Sequence, residues 1–163
     1  MPNHSFTIEQ VLTILAATPL RIAALTNGLA PALLHRAPNH DEWSANDVLA
    51  HLRACADVWG KCIVDIISQD RPTLRAINPT TWIKQTDYLQ QKFEPSLDAF
   101  ARQRRDLLAV LEGLEPGGWS LMATITGAGK PLERTVLSYA QRLAGHERPH
   151  LKQIERLVKP MQT

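Results

Sequence analysis

Apolar residues recur at spacings of three and four positions along four separate stretches of this 163-residue chain. The second stretch is the clearest: Ser44 and Asp47 form a capping box, and an apolar face runs from Val48 to about Ser68. We predict main helices over residues 7–28, 44–68, 95–113 and 133–158. Because no strand pattern competes with them, they favour an all-α, four-helix bundle with long connections, folded as a single domain over residues 1–163.

Prolines mark the predicted interruptions. Thr18 followed by Pro19 looks like a fresh helix start, so we expect a kink or break inside the first stretch. The connection over residues 70–95 is expected to carry a helical turn near 82–89, and residues 31–43 to form a loop with one short turn. Only residues 124–126 look able to form a short extended piece.

Charge and composition exclude several classes of function. Lys plus Arg total 18 against 16 Asp plus Glu, and the basic residues are scattered. The trio Arg102, Arg104 and Arg105 is most simply a solvated helix face, so we predict no nucleic-acid partner. No secretory signal is visible and no stretch approaches the roughly 18 apolar residues of a membrane span, so we expect a cytoplasmic protein without a membrane partner.

The two cysteines, Cys55 and Cys62, lie seven positions apart on one predicted helix. A helix separates their Cα atoms by roughly 10 Å, too far for a disulfide. We therefore predict two free thiols, which suits a reducing compartment.

Three histidines are placed to meet one ion. His146 and His150 stand four positions apart and stack on one face of the last helix, and His51 lies at the edge of the apolar face of the second. Three imidazoles suit zinc, nickel or iron and leave positions open for water or substrate. The spacing leaves an alternative open, because such pairs also arise by chance and then only form hydrogen bonds at a helix surface.

Residues 146–150, His-Glu-Arg-Pro-His, match the H-E-x-x-H pattern of zinc metalloproteases. The protease interpretation fails because no histidine follows His150, so a third ligand must come from upstream. Glu147 is the candidate general base, or equally an ordinary glutamate paired with an arginine. Pro149 is expected to kink the helix at the site. Cys55 is either a fourth ligand or nearby thiol, or a small buried side chain.

The segment from Trp43 to Leu52, Trp-Ser-Ala-Asn-Asp-Val-Leu-Ala-His-Leu, resembles the W-S-x-x-[DE]-[VI]-L-x-H-L signature of the DinB/YfiT-like superfamily. The segment from His150 to Ile154, His-Leu-Lys-Gln-Ile, resembles the closing motif of that superfamily. The resemblance extends over about residues 7–158. It implies an up-down-down-up four-helix bundle and a divalent metal held by three histidines.

Those ligands fall on His51, His146 and His150 of this chain. Characterised members resembling it use the metal to activate a thiol or water, some with a low-molecular-weight thiol as cofactor, and many form homodimers. The resemblance therefore implies a metal-dependent enzyme that acts on a small molecule by thiol-dependent transfer, isomerisation or hydrolysis. The alternative is a non-catalytic metal-binding protein of stress response or interaction.

Overall fold

Four long helices dominate the computed structural model, which describes residues 5–162. In chain order the helices are α1 (Ile8–Thr26), α2 (Pro31–Leu34), α3 (Ala45–Ser68), α4 (Pro79–Trp82), α5 (Phe93–Glu112) and α6 (Val136–Val158). The all-α, four-helix bundle is confirmed, with α1, α3, α5 and α6 as its members. The single-turn helices α2 and α4 lie in the two connections where short helical turns were predicted.

Hydrogen bonds at both ends of α1 show that it runs parallel to α6. The side-chain amide of Gln141 donates to the backbone oxygen of Phe6, at the start of α1. The amide of Gln162, just after α6, donates to the oxygen of Leu25, near the end of α1. The first and last helices therefore point the same way.

The same argument makes α3 and α5 parallel to each other. Arg53 donates to the hydroxyl of Ser96, and Gln103, two turns further along α5, donates to the carboxylate of Asp57, one turn further along α3. Trp43, just before α3, lies beside His150, whereas Trp59, further along α3, lies beside His146, so α3 runs antiparallel to α6. The order is therefore up, down, down, up. This is the topology that the family resemblance implied.

A small sheet was not predicted as a whole. Its strands are β1 (Thr73–Arg75), β2 (Met122–Thr126) and β3 (Leu132–Thr135), with β1 parallel and β3 antiparallel to β2. The predicted extended piece at 124–126 belongs to β2. The last helix begins at Val136 rather than near Glu133, because the residues before it pair with β2 and Thr135 then caps the helix.

A kink or break was expected at Pro19, and of the two the break is wrong, because α1 continues through this residue. Proline has no N–H to donate to the carbonyl four residues earlier, which belongs to Leu15. That carbonyl accepts a hydrogen bond from Arg104 Nη1 instead, at 2.9 Å. Arg104 is only 2% exposed, which corrects the prediction that it lies on a solvated face. A side chain from α5 thus completes the backbone hydrogen bonding of α1.

The apolar composition of α1 corrects a second expectation. The helix has 19 residues and a mean hydropathy of 1.4 over its best window, so by length and composition alone it is able to cross a membrane. Its Val11, Leu15 and Ile22 are fully buried in the bundle. Packing in the core accounts for these residues, and one such helix is weak evidence for a membrane span.

The core consists of two groups of buried side chains, and α3 contributes to both. One group surrounds Trp59, Trp119 and Tyr139, near the sheet. The other surrounds Phe93 and Phe100 on α5. On α6, His146 and His150 fall between the last residue of the first group, Ala144, and the first residue of the second, Leu151.

Candidate metal centre

Three histidine rings meet where α3 and α6 face each other. His51 stands in the second turn of α3, and His146 and His150 stand one turn apart on α6. His51 Nε2 lies 2.9 Å from His146 Nε2. The ring centroid of His150 lies 4.8 Å from that of His51 and 4.6 Å from that of His146. The structure therefore brings the three predicted imidazole rings together, but the donor atoms that converge within 4.8 Å are those of His51, His146 and Cys55, without His150.

Cys55 is the fourth member of this group. Its buried Sγ lies 3.6 Å from His51 Nε2 and 3.4 Å from His146 Nε2. In a tetrahedral zinc site, ordinary bond lengths place two nitrogens about 3.3 Å apart and a nitrogen and a sulfur about 3.6 Å apart. The donor atoms of His51, Cys55 and His146 all lie within 4.8 Å of one another and so approach the edges of such a tetrahedron.

Aromatic rings close the group on two sides. The ring of Trp43, just before α3, stacks on His150 with an interplanar angle of 12°. The ring of Trp59 meets His146 edge-on, with centroids 5.1 Å apart. His150 Nδ1 also lies 2.9 Å from Gln153 Oε1, which fixes the orientation of that imidazole. The rings are thus held in place by their neighbours as well as by the helices.

Electrostatics keep these groups neutral. Burial, together with the neighbouring His150, His51 and Arg142, lowers the pKa of His146 to about 4. Burial and the neighbouring His150 also lower the pKa of His51. Burial raises the pKa of the Cys55 thiol to about 12. Neutral imidazoles are the form that binds metal ions, so His51 and His146 are ready to act as ligands without losing protons.

Glu147, the candidate base, points into the core. It is 1% exposed, and both of its carboxylate oxygens accept hydrogen bonds from the guanidinium of Arg104. Of the two interpretations left open by the sequence, this geometry favours the glutamate paired with an arginine. Pro149 lies inside α6, and the rings of His146 and His150 still meet across it.

Two more residues lie beside the site: Arg142, a candidate polar residue of the pocket from the sequence, and Trp59, which the sequence placed only on the apolar face of α3. The Arg142 guanidinium lies 4.8 Å from the centroid of the Trp59 ring, which in turn contacts His146. Helical spacing was the available signal. Arg142 stands four positions before His146, and Trp59 four after Cys55, so each shares a helix face with a member of the group.

The predicted free thiols are confirmed for Cys55 and Cys62. Cys55 belongs to the histidine group, whereas Cys62 lies two turns further along α3, next to Tyr139. The two thiols therefore have separate surroundings, and only one of them is within reach of an ion at the histidines.

Comparisons with known proteins agree with the fold. A family model described as the DinB superfamily matches residues 14–154. Among solved structures, the chain is similar to YfiT from Bacillus subtilis, which is described as a probable metal-dependent hydrolase with an unusual four-helix bundle topology. The TM-score is 0.79 and the sequence identity 16%, over 99% of this chain and 93% of that one. No curated protein is similar enough in sequence to count as a match.

Proposed function

This chain belongs to the DinB superfamily, and from that premise we propose that it is a metal-dependent enzyme acting on a small molecule. The divalent ion, zinc, nickel or iron, is held by His51, His146 and His150, with the Cys55 thiol beside it. The observation that carries the proposal is the convergence of the donor atoms of His51, His146 and Cys55 at distances close to the edges of a tetrahedral site, with the ring of His150 packed against both imidazoles.

The chemistry of the donor set fits such an ion. Imidazole nitrogens with a thiol suit zinc, nickel or iron, whereas calcium and magnesium prefer sites built from oxygen. The hydrogen bond between Gln153 and His150 Nδ1 leaves Nε2 of that ring as the nitrogen available to the metal. Histidine ligands of metals usually have such a partner on the second ring nitrogen.

An ion bound here supplies a Lewis acid, which lowers the pKa of a water molecule or a substrate thiol at the site. The residues of the chain do the rest. His51 and His146 stay neutral because their pKa values are lowered, and Trp43 and Trp59 keep solvent from two sides of the group. The site therefore suits reactions in which a nucleophile forms at neutral pH.

Two reaction classes follow from this chemistry. One is hydrolysis, supported by the description of the structurally similar YfiT. The other is transfer or isomerisation that depends on a low-molecular-weight thiol, which the superfamily resemblance suggests. We assign Glu147 as the catalytic base for neither reaction, because both of its carboxylate oxygens accept hydrogen bonds from Arg104.

The metal is tested by elemental analysis of purified protein and by zinc titration of His51→Ala, His146→Ala, His150→Ala and Cys55→Ala. His35→Ala, an exposed histidine outside the site, is the matched control. We expect one ion per chain in the wild type and the control. Each histidine variant should lose more affinity than the roughly 10–100-fold that follows loss of an outer hydrogen-bond partner.

A wild type that binds neither zinc nor nickel would refute the metal centre. Retained affinity in His150→Ala alone would instead show that Cys55 replaces it as the third ligand. Circular dichroism of each variant separates loss of the ion from loss of the fold.

The reaction class is tested on metal-loaded and metal-free protein with two probes. Hydrolysis of p-nitrophenyl acetate reports on an activated water, and conjugation of 1-chloro-2,4-dinitrobenzene with L-cysteine reports on an activated thiol. We expect one of the two reactions to depend on the ion and to disappear in His146→Ala. Stoichiometric metal without either reaction would favour the non-catalytic metal-binding protein.

The expected homodimer and cytoplasmic location are proposals of the same kind. Sedimentation velocity of the purified protein tests the first, and cell fractionation tests the second. The bundle itself does not require a second chain for these groups, since His51 and Cys55 lie on α3 and His146 and His150 on α6 of one chain.

A further inference from the structure

A cavity of about 500 Å³ lies one helical turn from the histidine group. On α3 it is lined by Trp59 and Cys62, and on α6 by Tyr139 and Arg142. The strands that the sequence did not predict form another wall, and β3 places Arg134 there. Its volume is within the range of roughly 300–1,000 Å³ that is usual for small-molecule sites.

Both arginines of the cavity are without an acidic partner. No carboxylate of residues 5–162 lies within salt-bridge distance of Arg134 or Arg142. No aspartate or glutamate lines the cavity, and burial raises the pKa values of the Cys62 thiol and the Tyr139 hydroxyl, so neither adds negative charge at neutral pH. The cavity therefore carries two positive charges that nothing in its lining neutralises.

Aromatic rings hold the two guanidinium groups in place. Arg142 lies over the ring of Trp59 at 4.8 Å, and Arg134 lies 5.8 Å from the ring centroid of Tyr139. A contact between a cation and an aromatic ring uses the charge and not the N–H groups, so the N–H groups of both arginines remain for a ligand. A planar guanidinium matches the geometry of a carboxylate or a phosphate, since it donates two parallel hydrogen bonds.

We propose that this cavity binds the oxyanion group of a small organic substrate through Arg134 and Arg142. The substrate has an apolar or aromatic body, because Trp59, Val58 and Ile125 supply apolar lining beside the arginines. Trp59 contacts both Arg142 and His146, so a substrate anchored here extends along that ring toward the histidines. The link to catalysis rests on the proposed metal centre, whereas anion binding by the cavity does not.

The test is isothermal titration of benzoate, phenyl phosphate and neutral benzamide into metal-free and zinc-loaded protein. The two anions separate carboxylate from phosphate recognition, and benzamide has the same ring without the charge. Variants Arg134→Gln and Arg142→Gln, alone and together, are compared with Arg156→Gln, which removes an exposed arginine elsewhere on α6. Circular dichroism confirms the fold of each variant.

We expect at least one anion to bind more tightly than benzamide, and each cavity substitution to weaken it roughly tenfold or more. Arg156→Gln should leave binding unchanged. Equal binding of benzamide, an unchanged affinity in the double variant, or no binding of either anion up to its solubility limit overturns the proposal.

Failure of the cavity and failure of the metal centre give different results. Anion binding that persists in a His146→Ala variant unable to bind zinc supports the cavity alone. Zinc binding with no anion binding supports the metal centre alone. Tryptophan fluorescence tests where the anion binds. Quenching of the fluorescence by the bound anion should disappear in Trp59→Phe. Quenching that persists in this variant would place the anion outside the cavity.

Discussion

The buried ion pair between Arg104 and Glu147 makes the sharpest prediction about stability. The two side chains are 2% and 1% exposed, and Arg104 also donates to the oxygen of Leu15, which Pro19 leaves without a helical donor. Glu147→Gln keeps the shape of the side chain but removes its charge. The guanidinium then stays buried without a counter-charge.

Breaking a buried pair from one side costs about 3–5 kcal/mol, a large part of the roughly 5–15 kcal/mol that stabilises a folded domain. For a chain of this length the melting temperature should fall by roughly 6–20 °C. Replacing both partners in Arg104→Met/Glu147→Leu should cost less than Glu147→Gln, because apolar pairs of similar volume often equal a buried ion pair. The remaining loss, about 1–3 kcal/mol, comes from the Leu15 oxygen, which then has no donor.

Urea unfolding of metal-free protein, followed by circular dichroism, measures these differences. Adding Pro19→Ala to the double variant restores an N–H four residues after Leu15, so part of the remaining loss should be recovered. Pro19→Ala in the wild type should gain less, since Arg104 already serves that carbonyl. The reasoning is refuted if Glu147→Gln costs under about 1 kcal/mol, or if the double variant is as unstable as the single one.

The connection between α3 and α5 gives further predictions. Asp57 accepts hydrogen bonds from Trp82, Tyr88 and Gln103. Asp57→Ala should therefore lower the free energy of unfolding by about 2 kcal/mol and make the connection more susceptible to cleavage by chymotrypsin. The control Lys61→Ala removes an exposed ion pair and should lower it by less than about 1 kcal/mol. Burial and the hydrogen bond to Asp57 raise the pKa of Tyr88 to about 12, so its contribution to stability is complete below about pH 10 and is lost as the pH rises through 12. Absorbance titration of Asp57→Asn should show Tyr88 ionising at lower pH, and an unchanged midpoint would contradict this.

Local signals in the sequence predicted the helices and the histidines well. The capping box of Ser44 and Asp47 is present, and the i, i+4 spacing of His146 and His150 placed both rings on one face. His51 could be assigned to the same site because α3 is a regular helix with one apolar edge. Each of these inferences depends on residues within a few turns of one another.

Features that depend on distant pairing could not be predicted in this way. Strand β1 has three residues and pairs in parallel with β2, about fifty positions later, so no local alternation marks it. Arg104 looked like a surface residue because arginine is usually exposed, and the partners that bury it, Glu147 and Leu15, lie on other helices. The cavity arginine Arg134 was missed because the sheet that positions it was missed.

In metalloproteases, the histidines of an H-E-x-x-H segment bind the metal and its glutamate acts as the general base at the same site. In this chain the histidines and the glutamate of the segment lie in different places. His146 and His150 face α3, whereas Glu147, one position after His146, points into the core and binds Arg104. If this separation holds, Arg104→Met/Glu147→Leu should keep the zinc affinity of the wild type and any metal-dependent activity, because neither side chain reaches the ion. Atomic absorption and zinc titration of the folded double variant measure its zinc affinity. The two probe reactions measure its metal-dependent activity. A variant that keeps its fold and its ion but loses activity would restore Glu147 as the catalytic base.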